Sequence, residues 1–173
     1  MYRFMFILLV ALAGCASPPP ATINIGRLSL LAPLVIPSAS ATVRLQYGNP
    51  VARNGVQEQD PFCVFEINTV SDGPQTVKPD TFRITRYSHA ISSIADAALP
   101  WPVATRVALF DDDGPTHIYY QTLLRLESAL QPGVRQLTCM SNQNLPGVYP
   151  FMRHLTLDEI RAALGTNFRL ELR

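Results

Sequence analysis

Most of the chain consists of short apolar or alternating runs separated by Pro, Gly, Asn and Asp. Such runs are typical of β-strands joined by turns. Residues 42–47 alternate most regularly, which predicts a half-buried strand with Val43, Leu45 and Tyr47 on its inward face. Residues 48–61 are rich in Gly, Asn and other polar residues, so we predict an exposed loop or an irregular hairpin there.

Alternating runs predict further strands along the chain. They are expected at residues 23–31, 62–67, 82–87, 103–110, 117–128, 134–140 and 168–172. We predict that the fourth and fifth of these form a hairpin, because a turn of acidic residues and glycine joins them. Alternation places Gln121 on the solvent face of the fifth strand, and Cys63 and Phe65 on the core face of the second.

One stretch near the C-terminus has the signals of a helix. Thr156 and Glu159 have the spacing of a capping box, in which each side chain accepts a hydrogen bond from the backbone of the other residue. Gly165 fits the position that follows a last helical turn. The sequence therefore predicts a short helix over residues 157–164.

The element pattern predicts the fold class. The strands are short, turn signals recur about every ten residues, and there is no internal repeat. We therefore expect a mainly β protein, either an antiparallel β-sandwich or a partly open barrel, with one short C-terminal helix over about residues 157–164. The helix is expected to cover an open end or an edge of the sheet.

The N-terminus has the pattern of a signal peptide. Arg3 is followed by ten uncharged residues at positions 4–13. This run is too short to cross roughly 30 Å of hydrocarbon, but it is typical of the apolar region of a signal peptide. A secretory signal without lipidation and a retained membrane helix are the alternatives.

Leu12-Ala13-Gly14-Cys15 closes this run and resembles the lipobox of bacterial lipoproteins. The resemblance implies cleavage before Cys15, acylation of its thiol and amino group, and a mature protein that begins at this residue. Ala16 stands where an aspartate often marks retention in the inner membrane. The resemblance therefore implies a lipid anchor in the outer membrane, with the protein facing the periplasm.

The rest of the chain is expected to form a single domain. Residues 1–14 are the removed signal peptide, residues 15–21 are the lipidated cysteine and a proline-rich tether, and residues 22–173 form one β-rich periplasmic domain. Residues 60–66 and 134–139 are similar to proteobacterial periplasmic lipoproteins that have no assigned activity. That similarity brings no functional residues with it.

Charge argues against nucleic acid as a partner. The chain has 14 Lys+Arg and 13 Asp+Glu, and the basic residues are scattered singly. A phosphate backbone is bound by clustered basic residues that displace its counterions. The membrane, reached through the lipid anchor, and another envelope protein or a glycan are the expected partners.

The two other cysteines are expected to form a disulfide. Acylation of Cys15 leaves Cys63 and Cys139, and the periplasm oxidises thiols. Closure of so long a loop stabilises a fold by roughly 4 kcal/mol in the chain-entropy model. A redox or metal site is the alternative, but the sequence has no Cys-x-x-Cys spacing and no histidine near either cysteine.

The acidic turn and the histidines are candidate metal ligands. Asp111, Asp112 and Asp113 place hard oxygens on a tight loop, which is the chemistry that calcium prefers. The spacing departs from that of an EF-hand, so the pattern favours an ordinary polar turn, with calcium as the alternative. No two histidines are three to five residues apart, so a metal site that uses them needs a tertiary coincidence.

Aromatic residues beside prolines are candidate binding residues. Trp101 lies between two prolines, and Tyr149 and Phe151 flank a third. Aromatic rings on loops often stack against sugars or peptides, although filling of the core is the ordinary use of a tryptophan.

We expect a non-enzymatic role. The sequence has no Gly-x-Ser-x-Gly motif, and an enzyme would need scattered His and Asp residues to meet in one cleft. The first hypothesis is therefore a membrane-anchored envelope lipoprotein with a structural or protein-interaction role and no cofactor beyond its covalent lipid. A module that binds glycan, peptidoglycan or a small ligand through loop aromatics is the alternative.

Overall fold

The computed structural model describes residues 25–93, 117–143 and 153–173. The helix and strands of these ranges are β1 Gly26–Leu30, β2 Leu34–Ile36, β3 Ser40–Gln46, β4 Asn49–Val51, β5 Phe62–Ser71, β6 Gln75–Val77, β7 Asp80–Ser92, β8 Tyr119–Glu127, β9 Val134–Met140, α1 Leu157–Leu164 and β10 Phe168–Leu172. No helix within these ranges is long and apolar enough to span a bilayer.

Eight strands form one curled antiparallel sheet in the order β10-β1-β7-β8-β9-β5-β3-β4, and β2 pairs with β6 in a separate small sheet. The helix α1 packs on β10 at one edge of the large sheet and on β3 and β5 near the other. It therefore covers the gap that the curled sheet leaves. The expected mainly β fold with a short C-terminal helix is confirmed, and the sheet has the form of a partly open barrel.

The core lies on the inward face of this curled sheet, because alternate residues of each strand point there. Its completely buried side chains include, from seven different elements, Leu28, Leu45, Phe65, Phe82, Ile84, Leu124, Leu137 and Ile160. Phe65 contacts both Phe82 and Phe168, with ring centroids 6.0 and 6.1 Å apart. Side chains from distant strands thus meet in a single interior.

The helix begins and ends as its sequence predicts. The Thr156 hydroxyl accepts a hydrogen bond from the Glu159 amide at 3.3 Å, and the Glu159 carboxylate accepts one from the Thr156 amide at 2.7 Å. Arg153 donates two hydrogen bonds to the same carboxylate, at 2.7 and 2.8 Å. At the other end Gly165 has φ +66°, a conformation that favours glycine.

The expectation for Tyr47 was wrong. Strand β3 ends at Gln46, and Tyr47 is 61% exposed, with its hydroxyl bonded to Asp60. Tyr47 and Gly48 both have positive φ, so the chain reverses at this point and β4 pairs back on β3. The following segment is therefore an irregular hairpin, one of the two forms predicted for it.

The expectation for Gln121 was also wrong, since this residue is only 5% exposed. The outer face of the sheet is covered at this end as well, where Phe62, Tyr119 and Met140 form a second buried cluster. Alternation identified the two faces of β8, but it did not show that both are buried.

Strand β8 has two partners among the described residues. It pairs with β7 on one side and with β9 on the other. Residues 103–110, the hairpin partner expected from sequence, lie outside the described residues, so that prediction stays open. The prediction considered only the preceding run of sequence as a partner. It did not consider β7, which is long enough to pair with all of β8.

Candidate functional site

The structure describes one of the site predictions. Cys63 and Cys139 lie opposite each other on β5 and β9 and form a disulfide, with both residues completely buried. The bridge therefore lies in the barrel interior, where Cys63 was expected to point. The other predicted site residues, Cys15, Trp101, Asp111, Asp112, Asp113, Tyr149 and Phe151, lie outside the described residues.

Beside the disulfide lies a group of aromatic and imidazole side chains that sequence reasoning did not bring together. We call Tyr87, His89, Tyr120, Thr122 and His154 the imidazole cluster. The register of β7 and β8 places His89 opposite Thr122 and Tyr87 opposite the core residue Leu124. Thr122 in turn lies opposite Cys139 on β9. The cluster therefore continues the inward face of the sheet beyond the core, toward the end where β7 finishes.

The rings of the cluster are in direct contact. His89 and His154 stack with centroids 3.7 Å apart and planes 5° from parallel. The Tyr87 hydroxyl and Nε2 of His89 share a hydrogen bond of 2.7 Å. Tyr120 meets His154 edge to face, at 5.4 Å between ring centroids. Two of the three histidines in the chain thus lie side by side.

The environment keeps His154 neutral. Burial lowers its pKa, and His89 lowers it further because two charged imidazoles would repel each other. A hydrogen bond with the backbone of Gln121 acts in the opposite direction and is the weakest of the three causes. The neutral ring at physiological pH has one N–H and one nitrogen with a free lone pair.

Two buried polar atoms of the cluster have no hydrogen-bond partner. They are Nδ1 of His154 and the hydroxyl oxygen of Thr122, a residue that is 0% exposed. A buried polar atom without a partner costs about 1–3 kcal/mol, so a ligand that satisfies it gains affinity.

His154 makes the stability of the folded protein depend on pH. Because the pKa of His154 is lowered in the folded protein, the unfolded chain binds more protons below the ordinary value of 6.5. Stability is therefore complete above that value and is lost as pH falls through the folded-state pKa. We expect a lower urea midpoint at about pH 5 than at about pH 7, and a smaller difference in His154→Gln.

Glu159 of the capping box does not explain a difference between pH 5 and pH 7. Hydrogen bonds from Arg153, together with those from Thr156, hold the pKa of its carboxyl at about 2, so its contribution to stability is lost only in stronger acid. An unchanged pH dependence in His154→Gln would contradict the assignment to His154.

A second polar group lies at the same end of the sheet, on its outer side. The Tyr119 hydroxyl donates to the Glu58 carboxylate at 2.6 Å, and His117 Nδ1 lies 3.3 Å from the same oxygen. Asn142 bonds both His117 and the Ile118 amide. Burial and Glu58 raise the pKa of Tyr119. These contacts hold the connection before β5 against the start of β8, which is a structural role.

The other end of the sheet has a shallow groove of about 740 Å³ between the start of β7 and the turn after β8. Its lining includes Asp80, Arg83, Glu127 and Ser128. Arg83 pairs with Glu127 at 2.7 Å, and Ser128 donates to Asp80 at 2.5 Å. These polar groups satisfy one another, so we favour the imidazole cluster as the candidate site.

Sequence reasoning passed over the cluster because 64 residues separate His89 from His154. Only the register of β7 with β8 and the path of the chain before α1 bring the rings together. Within the described ranges no group of three His, Cys, Asp or Glu residues is arranged to hold a metal ion. The chain matches no known protein family, no curated protein and no solved structure.

Proposed function

We propose that the protein is a lipid-anchored envelope protein whose disulfide-stapled β domain acts by contact with another envelope component. The buried Cys63–Cys139 bridge carries this proposal. Structural disulfides belong to oxidising compartments, and the one remaining cysteine is the residue of the lipobox. Export, lipidation and the internal bridge thus give each of the three cysteines a use.

In this proposal the protein is held at the outer membrane and faces the periplasm. Residues 15–21 are the tether, with three successive prolines that favour an extended conformation. Two or three acyl chains on Cys15 hold a protein at a bilayer for its lifetime, since each buried methylene contributes about 0.8 kcal/mol. The domain then works close to the membrane surface.

In this proposal the domain binds its partner and catalyses no reaction. The barrel interior is filled by side chains and the disulfide, so contact takes place at the surface. Such a surface lies at the end of β7, where Tyr87 of the imidazole cluster is 38% exposed and Ile91 is 63% exposed. Exposed aromatic and aliphatic side chains next to hydrogen-bonding groups are typical of protein-binding surfaces.

Replacement of Cys15 by serine tests the anchor. We expect Cys15→Ser to lose all labelling by palmitate and to move from the membrane to the soluble fraction, because the acceptor thiol is gone. The variant Cys63→Ala/Cys139→Ala retains the acceptor and is expected to stay labelled. Equal labelling of wild type and Cys15→Ser would refute lipidation at this residue. Membrane retention of the unlabelled variant would show that the acyl chains are not what holds the protein at the membrane.

Site-specific photo-cross-linking tests the contact. A cross-linker at Ile91, on the proposed surface, is compared in intact cells with one at Asp72, an exposed turn residue after β5. We expect one discrete adduct with an envelope protein from position 91 and none from position 72. The same adducts from both positions, or none from position 91, would refute this surface.

A glycan-binding module is the second candidate function. It is favoured by the neighbouring rings of Tyr87, His89 and Tyr120, since aromatic rings stack against sugars. Trp101, Tyr149 and Phe151 are the further residues that sequence offers for this role. Co-sedimentation with purified peptidoglycan distinguishes the two functions. It should fall in Tyr87→Ala and persist in Tyr47→Ala, another exposed tyrosine, if glycan is the ligand.

A further inference from the structure

We infer that Arg86 and Arg125, which we call the arginine pair, bind the phosphate group of a small phosphate monoester whose organic part lies in the groove beside Arg125. The inference goes beyond the proposed function and does not depend on the lipid anchor. It rests on the register that places the two arginines together, on the charges around them and on the groove that Arg125 lines.

The register of the sheet holds the two guanidinium groups side by side. Arg86 on β7 lies directly opposite Arg125 on β8, and both residues are exposed. They lie on the outer face, because Leu124 and Leu126 on either side of Arg125 point into the core. The Cβ atoms of such opposite residues are about 4.5–5.5 Å apart, and like charges at this distance destabilise a sheet. An anion between the two groups replaces their repulsion with attraction.

The neighbouring carboxylates do not neutralise the arginine pair. Glu127 lies on the same face of β8 but pairs with Arg83 at 2.7 Å. Glu66 is bonded by Arg135, also at 2.7 Å. Burial raises the pKa of Glu66, and the charges of Arg135 and Arg125 oppose that rise. Within the described part of the chain, neither side chain of the pair forms a hydrogen bond or a salt bridge, so two positive charges remain available.

Two available guanidinium groups match the chemistry of a phosphate monoester. Its phosphate carries about 1.5–2 negative charges at pH 7 and has three acceptor oxygens. Both planar guanidinium groups can therefore donate charged hydrogen bonds to it at the same time. A carboxylate has one charge and two oxygens, which a single arginine satisfies. The arginine pair should thus select phosphate monoesters over carboxylates.

The groove beside Arg125 has room for the organic part of the ligand. Its volume is about 740 Å³, which is within the usual range of small-ligand sites. The turn after β8 gives it apolar surface, since Ala129, Leu130 and Pro132 line it and Leu130 is 83% exposed. The wall is concave, so it fits a free molecule with an apolar substituent better than the flat surface of a bilayer.

The test is a titration of the full-length protein, purified in a nonionic detergent, with phenyl phosphate, followed by phosphorus NMR. We expect one bound molecule per chain. Binding should be weaker by at least about tenfold in Arg86→Gln and in Arg125→Gln, because each variant loses a charged hydrogen-bond donor. Inorganic phosphate should bind more weakly than phenyl phosphate, and Leu130→Ser should remove most of that difference. Benzoate should compete poorly.

Arg169→Gln is the matched control. Arg169 is another exposed arginine of the same sheet, but it lies opposite Ser29 instead of a second arginine. This variant should bind phenyl phosphate as wild type does. Wild-type affinity in Arg86→Gln or Arg125→Gln, an equal loss in Arg169→Gln, or benzoate that competes as well as inorganic phosphate would each overturn the inference.

A lipid headgroup is the other source of a phosphate group, and a competition separates the two sources. Phosphatidylglycerol added to the same micelles should leave phenyl phosphate bound. Its displacement would assign the arginine pair to membrane lipid and contradict a free ligand. Both arginines are exposed, so their replacement should not unfold the protein. None of these outcomes bears on palmitate labelling of Cys15.

Discussion

Replacement of both Cys63 and Cys139 by alanine is expected to lower the free energy of unfolding by about 4 kcal/mol. The bridge joins residues 76 positions apart, so it removes much of the conformational freedom of the unfolded chain. The same substitution removes two side chains from a completely buried position. For a domain of this size the midpoint of thermal unfolding should fall by roughly 10–15 °C.

Circular dichroism during thermal and urea unfolding measures this effect. Wild-type protein, unfolded in urea, alkylated without reduction and analysed by mass spectrometry, should show no label on either cysteine. The single variant Cys63→Ala is the control for packing, since it breaks the bridge but keeps the Cys139 side chain. A double variant as stable as wild type, or label on both thiols of the unreduced protein, would contradict the bridge.

Local signals predicted the elements whose cause is local. The capping box of Thr156 and Glu159 involves residues three apart, and the helix begins and ends where it indicates. Alternation in β5 likewise placed Cys63 and Phe65 in the interior. In both cases the deciding interaction lies within one turn of helix or on one strand, so a short window of sequence contains it.

Choice of strand partner is not local, and here sequence reasoning was incomplete. The hairpin pattern directed attention to the segment before β8, whereas the described partners of β8 are β7 and β9. Gln121 is buried for a related reason, because Phe62 and Met140 reach the outer face from other strands. Alternation shows which residues share a face, but burial depends on what packs against that face.

The imidazole cluster depends on long-range contacts that local sequence signals do not contain. In the sequence no two histidines are close enough to form a local motif. The stack of His89 on His154 arises from tertiary structure, through the register of β7 with β8 and the position of the segment before α1. A search for functional residues a few positions apart in sequence cannot find such a pair.

A contact of the same long-range kind holds the helix against the sheet. The amide of Gly48, in the turn between β3 and β4, donates to the carbonyl of Ala163 at 3.0 Å. A Cβ atom added to Gly165 would lie 2.2 Å from the Cα atom of Gly48. The helix end and the turn therefore meet backbone to backbone, which only glycine permits.

Gly165→Ala is accordingly expected to lower the free energy of unfolding by about 3 kcal/mol or more. The backbone at Gly165 has φ +66° and ψ −159°, a region that is essentially restricted to glycine, and the added methyl group also meets the backbone of Gly48. Urea unfolding followed by circular dichroism measures the loss. A variant with wild-type stability would show that α1 does not close the barrel through this contact.

Two further glycine variants test whether the loss comes from the contact between Gly48 and Gly165. Gly133→Ala places its methyl group in open space at a residue without positive φ, so its stability should stay within about 0.5 kcal/mol of wild type. Gly48→Ala is strained by its own φ of +80° and touches the same contact from the other side. Because both substitutions separate the same two segments, the loss in Gly48→Ala/Gly165→Ala should be smaller than the sum of the single losses. Strict additivity would mean that the two glycines act independently.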